Sequence, residues 1–253
     1  MPDRQVGLQR GLIRCLVPRR EFPFLSPAWA AVIVYTTQVN IAIIVGNGPS
    51  VDALPVEFWL TAWQRNVLLI GTNRALALTA TANLEHDVLV MRDRYTQLWL
   101  KQELGAKYHT ELWKPNRAYK VGSASSRTAH CNEYVAMTDS WQHDVEYDRN
   151  RELLIGQNDS VVLMATNWAW LVGIRSIGLV GVDYYGGHAS MIDPYNASTR
   201  GVGGALANNM DSIERQFGTA VKEMTRSGGE IVNLSPATQL RSVPKMHWKS
   251  FLG

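Results

Sequence analysis

Short runs of apolar residues alternate with longer stretches of helical character from Asn40 onward. The runs predict four strands, at residues 41–45, 66–70, 87–91 and 176–180, and a last strand at residues 230–234. The first run, Ile-Ala-Ile-Ile-Val, is apolar at every position, as a strand in the centre of a parallel sheet must be. Because strands that alternate with helices build a sheet covered on both faces, the pattern predicts an α/β fold with a Rossmann-like, mostly parallel, doubly wound sheet.

Two predicted helices have clear signals. Ser160 is suited to cap a helix that runs to Val172, and Gly173 is suited to end it. A longer helix follows a glycine-rich stretch, and its apolar residues are spaced by three and four, which predicts one buried stripe. The stripe consists of Met210, Ile213, Phe217, Val221 and Met224. Composition also predicts helices over residues 75–82 and 96–104.

The regular pattern stops over residues 105–157, which are rich in Tyr, His, Asn and Ser. We expect this segment to be a loop-rich insertion, suited to a lid or an acceptor-binding region. Residues 1–38 do not join the pattern either, and we expect them to be an extension that supplies no core element. The remaining residues, 39–253, are predicted to form a single Rossmann-like domain.

Charge and cysteine content narrow the partners of the chain. The formal net charge of +3 is carried by arginines within residues 1–38, so residues 39–253 are neutral overall. A domain without net positive charge does not attract nucleic acid by its overall electrostatic potential, so no nucleic-acid partner is expected. Cys15 and Cys131 lie far apart and match no metal-binding spacing, which favours a reducing, cytoplasmic location. A transmembrane helix needs about 20 consecutive apolar residues, and no apolar run in the sequence is that long.

The turn after the first strand reads Gly46, Asn47, Gly48, Pro49 and Ser50. Glycines at a strand end let the backbone approach a phosphate or a sugar closely. Ser50 is suited to cap the following helix, and the N–H groups at a helix start favour an anion. The turn lacks the lysine of a Walker A motif and is shorter than the dinucleotide fingerprint. It therefore predicts a nucleotide site, with a plain tight turn as the alternative.

Polar residues follow the next two strands. Asn73 and Arg74 come after the second strand, and Arg92, Asp93 and Arg94 come after the third. A guanidinium group suits a phosphate or a carboxylate, and an Asn side chain offers a donor and an acceptor to a base or a sugar. Helix caps and solvated charges are the alternative interpretation. Because the carboxyl ends of parallel strands share one edge, these residues are expected to converge on a ligand there.

Another cluster follows the strand at residues 176–180, where Asp183, Tyr184, Tyr185 and His188 lie close together in a glycine-rich stretch. A tyrosine hydroxyl can donate a hydrogen bond to a departing phosphate without a metal ion. A histidine, with an ordinary pKa of about 6.5, is suited to act as a general base. Asp183, Tyr185 and His188 are therefore the candidate catalytic residues, and a solvated histidine is the alternative for His188.

Three segments together resemble a known family of enzymes. They read Ile-Ile-Val-Gly-Asn-Gly-Pro-Ser, Gly-Thr-Asn-Arg and Leu-Val-Gly-Ile-Arg-Ser-Ile-Gly-Leu-Val-Gly-Val-Asp-Tyr-Tyr. This set is similar to the bacterial lipooligosaccharide sialyltransferases of glycosyltransferase family 42, and more remotely to the 6-hydroxymethylpterin diphosphokinase MptE-like proteins. The resemblance covers residues 41–94 and 158–240.

The resemblance implies a cytidine nucleotide bound across the strand ends, with a CMP-sugar as donor and a glycan or small molecule as acceptor. It implies transfer with inversion, with neither a metal nor another cofactor, often by a homo-oligomer. It places nucleotide contacts at Asn47, Asn73 and Ser160, and a hydrogen bond from Tyr185 to the leaving phosphate. The family's general-base histidine has no aligned partner, because residues 189–209 contain no histidine, and His188 lies before them.

The interpretation of this sequence is a nucleotide-sugar-dependent glycosyltransferase, with Arg92 or Arg94 balancing the charge of the donor. Two alternatives stay open. One is a diphosphokinase-like phosphoryl transferase, which would use Mg²⁺. The other is a domain that binds a nucleotide without catalysis.

Overall fold

Seven strands form one sheet in the computed structural model, and every neighbouring pair of strands is parallel. The structure describes residues 39–78, 84–92, 118–123, 131, 133–135, 146–148, 153–155, 160–184 and 210–253. The strands are β1 (Ile41–Val45), β2 (Leu68–Thr72), β3 (Val88–Met91), β4 (Tyr119–Ser123), β5 (Glu133–Val135), β6 (Glu146–Asp148), β7 (Leu153–Ile155), β8 (Ser176–Val180) and β9 (Glu230–Asn233). The sheet order is β5-β4-β3-β2-β1-β8-β9, and β6 and β7 form a separate antiparallel pair.

Helices cover both faces of this sheet. They are α1 (Val56–Gln64), α2 (Val161–Leu171), α3 (Met210–Arg226) and α4 (Trp248–Leu252), with 3₁₀ helices at Pro49–Val51 and Asn73–Leu76. Buried side chains of α2 and α3 pack on one face with those of β1, β2, β3 and β8. Buried side chains of α1, α4 and the first 3₁₀ helix pack on the other face. The predicted Rossmann-like α/β fold is therefore confirmed.

The chain reverses its direction of winding at β1, which lies between β2 and β8. In an open parallel sheet, such a switch point leaves a crevice outside the carboxyl ends of the two strands involved. β1, β2, β3 and β8 are parallel, so their carboxyl ends lie at one edge, as the sequence predicts. The loops after β1 and β8 therefore meet at the position where ligands bind in this class of fold.

Apolar patterning predicts the two main helices closely. α2 is apolar on nearly every side, and each residue from Val162 to Trp170 is buried, which fits a helix between the sheet and other elements. α3 buries one stripe, and Ile213, Phe217 and Met224 from the predicted set are fully buried. Met210 and Val221 lie at the margin of that stripe and are half-buried.

Other elements differ from the prediction. β2 begins two residues later than expected, and Gly71 is a paired strand residue rather than the start of a turn. The segment predicted as an insertion supplies β4 and β5, which extend the main sheet; these short strands carry polar residues that hide an apolar pattern. A 3₁₀ helix at Asn73–Leu76 covers the first two residues of the helix predicted at 75–82, and residues 77 and 78 are α-helical as expected.

Several predicted segments lie outside the described residues. These are the extension at residues 1–38, the helix at 96–104, and parts of the helix at 75–82 and of the insertion. Within the described ranges, no helix has the length and apolar character needed to cross a membrane.

His86 is buried against the backbone of β2, with 4% of its surface exposed. A Cβ atom on Gly71 would lie 2.6 Å from Cδ2 of the imidazole, so the glycine makes room for this ring. Neither ring nitrogen has a hydrogen-bond partner among the residues that the structure describes. Burial lowers the pKa of His86 to about 4, and the side chain is neutral at physiological pH.

We predict that His86 makes the protein sensitive to mild acid. Its pKa is 6.5 for the ordinary group and about 4 in the folded protein, so the unfolded chain takes up this proton first as pH falls. Above pH 6.5 both states are neutral at His86 and the free energy of unfolding is unaffected by this proton. Between pH 6.5 and pH 4, protonation of the unfolded chain lowers the free energy of unfolding by up to roughly 3 kcal/mol. Urea unfolding across this range should show a steeper loss for the wild type than for His86→Gln. Equal slopes in the two proteins would contradict the assignment.

Candidate functional site

The loops after β1 and β8 are bonded to each other through their backbones. The N–H of Gly46 donates to the carbonyl oxygen of Val180, and the N–H of Gly48 donates to that of Gly181, both at 2.7 Å. These two bonds carry the parallel pairing of β1 and β8 beyond the ends of the strands. We call residues 46–50 and 181–184, together with Asn73, Arg92 and Ser160, the switch-point site.

Three glycines allow this close approach. A Cβ atom on Gly46 would lie 2.4 Å from the carbonyl oxygen of Gly181. A Cβ atom on Gly48 would lie 2.4 Å from Oδ2 of Asp183 and 2.8 Å from the carbonyl oxygen of Gly181. Gly181 has a φ of +67°, which side chains rarely adopt, and a Cβ there would lie 2.5 Å from Val51. The glycines noted in the sequence therefore serve the contact between the two loops.

Asp183 joins the same two loops through its side chain. It is buried, with 1% of its surface exposed, and its Oδ2 accepts the N–H of Ser50 at 2.7 Å. Its own carbonyl oxygen accepts the N–H of Gln239 at 2.9 Å. Burial raises the pKa of the Asp183 carboxyl, and the N–H of Ser50 together with the nearby side chains of Ser50 and Ser235, which favour the ionised form, opposes this shift.

The role expected for Ser50 changes in consequence. Gly48 is the N-cap of the 3₁₀ helix at Pro49–Val51, and no side chain caps it, so Ser50 does not supply the predicted cap. The N–H groups at this helix start were expected to favour the anion of a ligand, but the N–H of Ser50 donates to the carboxylate of Asp183. The sequence could not show this pairing, because the two residues are 133 positions apart.

Three buried oxygen atoms at the two loops have no hydrogen-bond partner within the described part of the chain. They are Oδ1 of Asn47, Oγ of Ser50 and Oδ1 of Asp183. A buried polar atom without a partner costs about 1–3 kcal/mol, so such atoms cluster where a ligand supplies the missing bond. Asn47 and Asp183 offer acceptors, and a serine hydroxyl can accept or donate.

Asn73 connects the ends of β2 and β3. It has a left-handed backbone, with a φ of 46°, which Asn tolerates better than most residues. Its Oδ1 accepts the N–H of Arg92 at 3.1 Å, so the predicted residues Asn73 and Arg92 do come together. Arg74 follows in the 3₁₀ helix and is half-buried, as is Arg92.

Ser160 and Tyr184 meet at the start of α2. Oγ of Ser160 accepts the N–H of Leu163 at 3.4 Å, which confirms the predicted cap, and it lies 3.0 Å from the hydroxyl oxygen of Tyr184. Tyr184 has a φ of 56°, and its ring packs edge-on against Phe217 of α3. The sequence analysis places Tyr184 in the cluster after β8 but chooses the neighbouring Tyr185 as the candidate, so the contact of Tyr184 with Ser160 was not predicted.

A second set of missed residues holds the loop after β8 from the side of β9. The Nδ2 group of Asn233 and the hydroxyl of Thr238 both donate to the carbonyl oxygen of Val182, at 3.2 and 2.7 Å. The N–H of Val182 donates to Oγ of Ser235 at 3.3 Å. The only sequence signal was the run of polar residues directly after the last predicted strand.

Tyr185, His188, Asp93 and Arg94 lie outside the described residues, so their predicted roles stay predictions. Among the side chains that the structure does describe, no three His, Cys, Asp or Glu residues cluster as metal ligands would.

Comparisons with known proteins add little to this geometry. No family model and no curated protein sequence matches the chain. A solved structure with some similarity is that of the MAf glycosyltransferase from Magnetospirillum magneticum AMB-1, with 13% identity and a TM-score of 0.49 over 98% of this chain and 38% of that chain. Because the likeness is this distant and this chain spans 38% of that protein, it carries no argument about activity. The fold defines an α/β protein, and the switch point of its sheet is the candidate site for a ligand.

We predict that Gly48→Ala lowers the free energy of unfolding by about 1–3 kcal/mol, because the new Cβ would overlap the Asp183 carboxylate. The matched control is Gly218→Ala in α3, where the nearest atom, Cβ of Ser242, lies 3.8 Å from the new Cβ. Alanine there should raise stability by about 0.5–1 kcal/mol, since glycine is unfavourable inside a helix. Urea unfolding measures both changes. If Gly48→Ala left the free energy of unfolding unchanged, the two loops would have to separate easily.

Proposed function

We propose that this protein is a nucleotide-sugar-dependent glycosyltransferase of the sialyltransferase-like kind, with a CMP-sugar as donor. The observation that supports it most is the trio of buried oxygens at the switch-point site, on Asn47, Ser50 and Asp183, which lack partners among the described residues. The sequence motifs that carry these residues are the ones that resemble the family 42 sialyltransferases.

The trio suits the nucleoside part of such a donor. A phosphate presents only acceptor oxygens and negative charge, so it would be repelled by the Asp183 carboxylate and by Oδ1 of Asn47. The amino group of a cytosine and the hydroxyls of a ribose are hydrogen-bond donors, and they match these acceptors. In this proposal the nucleoside lies over the loops after β1 and β8, and Asp183 binds it while holding the loops together.

The phosphate then lies toward the start of α2 and the ends of β2 and β3. α2 has 11 residues, and the positive end of its dipole lies beside Ser160 and Tyr184. Arg74 and Arg92 supply guanidinium groups at the adjacent strand ends. This arrangement separates the acceptors that bind the nucleoside from the donors that bind the charged group.

The transfer step is assigned to residues that follow Tyr184. A hydroxyl of the acceptor attacks the anomeric carbon of the sugar, while the bond from that carbon to the phosphate oxygen breaks. Tyr185 donates a hydrogen bond to the leaving phosphate, and His188 takes the proton of the attacking hydroxyl. The acceptor is a glycan or a small molecule, and no metal takes part.

A ligand screen tests the proposal against its alternatives. Binding of a ligand to the folded state raises the melting temperature, and CMP and a CMP-sugar should do so without added metal. The CMP-sugar should also be consumed when an acceptor is present. Protection by ATP with Mg²⁺, and none by CMP, would instead indicate the diphosphokinase-like activity. Protection by CMP without turnover would indicate a binding domain.

We predict that Ser50→Ala weakens CMP binding by about 10-fold with at most a small loss of stability, because its hydroxyl makes no hydrogen bond of normal geometry in the described protein and only assists the Asp183 carboxylate. Calorimetric titration gives the affinity, and thermal unfolding gives the stability. Ser227→Ala, at an exposed position just after α3, is the matched control and should change neither. Unchanged CMP affinity in Ser50→Ala would place the nucleoside elsewhere.

We also predict that Tyr185→Phe lowers kcat by roughly 10-fold to 1000-fold with little change in nucleotide affinity, since the lost hydrogen bond strengthens only as charge develops. Steady-state kinetics with the donor found in the screen measures the effect. Tyr119→Phe is the control, because Tyr119 is the first residue of β4 and so lies at the amino ends of the strands, opposite to the carboxyl ends where the site lies. A fall in nucleotide affinity with unchanged kcat would assign Tyr185 to binding.

A further inference from the structure

A groove of about 840 Å³ lies at the carboxyl end of β9, apart from the switch-point site. It is formed by the link between the first 3₁₀ helix and α1 (residues 53–57), the end of β9 (233–236) and the segment before and at the start of α4 (245–249). The volume is within the range of about 300–1,000 Å³ that small-molecule sites occupy.

The wall formed by residues 244–246 is held to β9 by backbone bonds. The N–H of Asn233 donates to the carbonyl oxygen of Pro244 at 2.8 Å, and the N–H of Met246 donates to that of Asn233 at 3.1 Å. This segment therefore runs beside β9 much as a further strand would. The groove is a preformed feature rather than a gap between loose ends.

The groove has an apolar interior with an aromatic wall. Leu54 and Leu234 are buried, and Met246 and Trp248 are half-buried. The Trp248 indole packs edge-on against Phe58 of α1, with 5.8 Å between ring centroids, which fixes its orientation. An apolar or flat ligand would find a complementary surface here.

Basic side chains line the same groove. Lys245, His247 and Lys249 are exposed, and Glu57 is the one carboxylate among the lining residues that the structure describes. The Lys249 ammonium lies 5.5 Å from the centre of the Trp248 ring. Neither Lys245 nor Lys249 forms an ion pair with another described residue. The groove therefore combines an aromatic surface with two cationic groups that no described carboxylate neutralises.

We propose that this groove is a second ligand site, which takes a small molecule with a phosphate or carboxylate group joined to a flat or apolar body. Lys245 and Lys249 bind the anionic group, and Trp248 with its apolar neighbours binds the body. The proposal goes beyond the proposed function and does not depend on it. The floor of the groove adjoins the loop that carries Asp183, because Asn233 and Ser235 line the groove and are also hydrogen-bonded to Val182.

The experiment follows the indole N–H signal of Trp248 by NMR in protein labelled with ¹⁵N-tryptophan and assigned with Trp248→Phe. The probes are phenyl phosphate and benzoate, with benzyl alcohol as the neutral comparison. At least one of the two anionic probes should shift the Trp248 signal to saturation, and benzyl alcohol should bind more weakly. Whichever anion binds more tightly identifies the preferred group.

The double variant Lys245→Gln, Lys249→Gln should weaken the tighter probe by about 10-fold or more, with the melting temperature unchanged. Lys222→Gln, an exposed lysine on α3, is the control and should bind the probe as the wild type does.

Three results would overturn the proposal. They are no shift of the Trp248 signal with either anion, equal binding of benzyl alcohol, and equal affinity in the double lysine variant. The readout does not rely on any transferase activity, so failure of the proposed function would leave this test intact.

Discussion

Backbone hydrogen bonds from Gly46 to Val180 and from Gly48 to Gly181 bring the two loops of the switch point into direct contact. The rest of the site depends on this contact, because it leaves space for no side chain and sets Asp183 against the N–H of Ser50. Asp183 is thereby buried and already engaged through one oxygen. The same arrangement leaves buried oxygens of Asn47, Ser50 and Asp183 at the two loops without a partner among the described residues.

The fold was predictable where local pattern and final environment agree. β1 is apolar throughout and β8 is apolar after Ser176, and both are interior strands of the sheet. The cap at Ser160 combines a capping residue with an apolar helix. Prediction failed where a neighbour decided the outcome. Gly71 looked like a turn, yet it is a strand residue that makes room for His86. β4 and β5 were missed because short strands with polar residues have no clear period.

The site was predictable as a set of positions and less so as a set of roles. Parallel strands place their carboxyl ends together, which is why Asn73 and Arg92 could be expected at one edge and are in fact bonded. The pairing of Ser50 with Asp183 and the left-handed backbone of Tyr184 depend on contacts between distant parts of the chain. No local spacing encodes them. The sequence pattern therefore predicted which strand ends meet at one edge, but not which polar atoms there are paired and which have no partner among the described residues.

The position of β8 next to β1 has a consequence for how this protein is made. The contact between their loops joins residues 133 positions apart, so the centre of the sheet is incomplete until most of the chain has left the ribosome. Until then one edge of β1, an apolar strand, has no partner and is open to pairing with other chains. Contacts of such long range also slow folding. Synthesis at low temperature, or with chaperones that shield this edge, should raise the yield of folded protein.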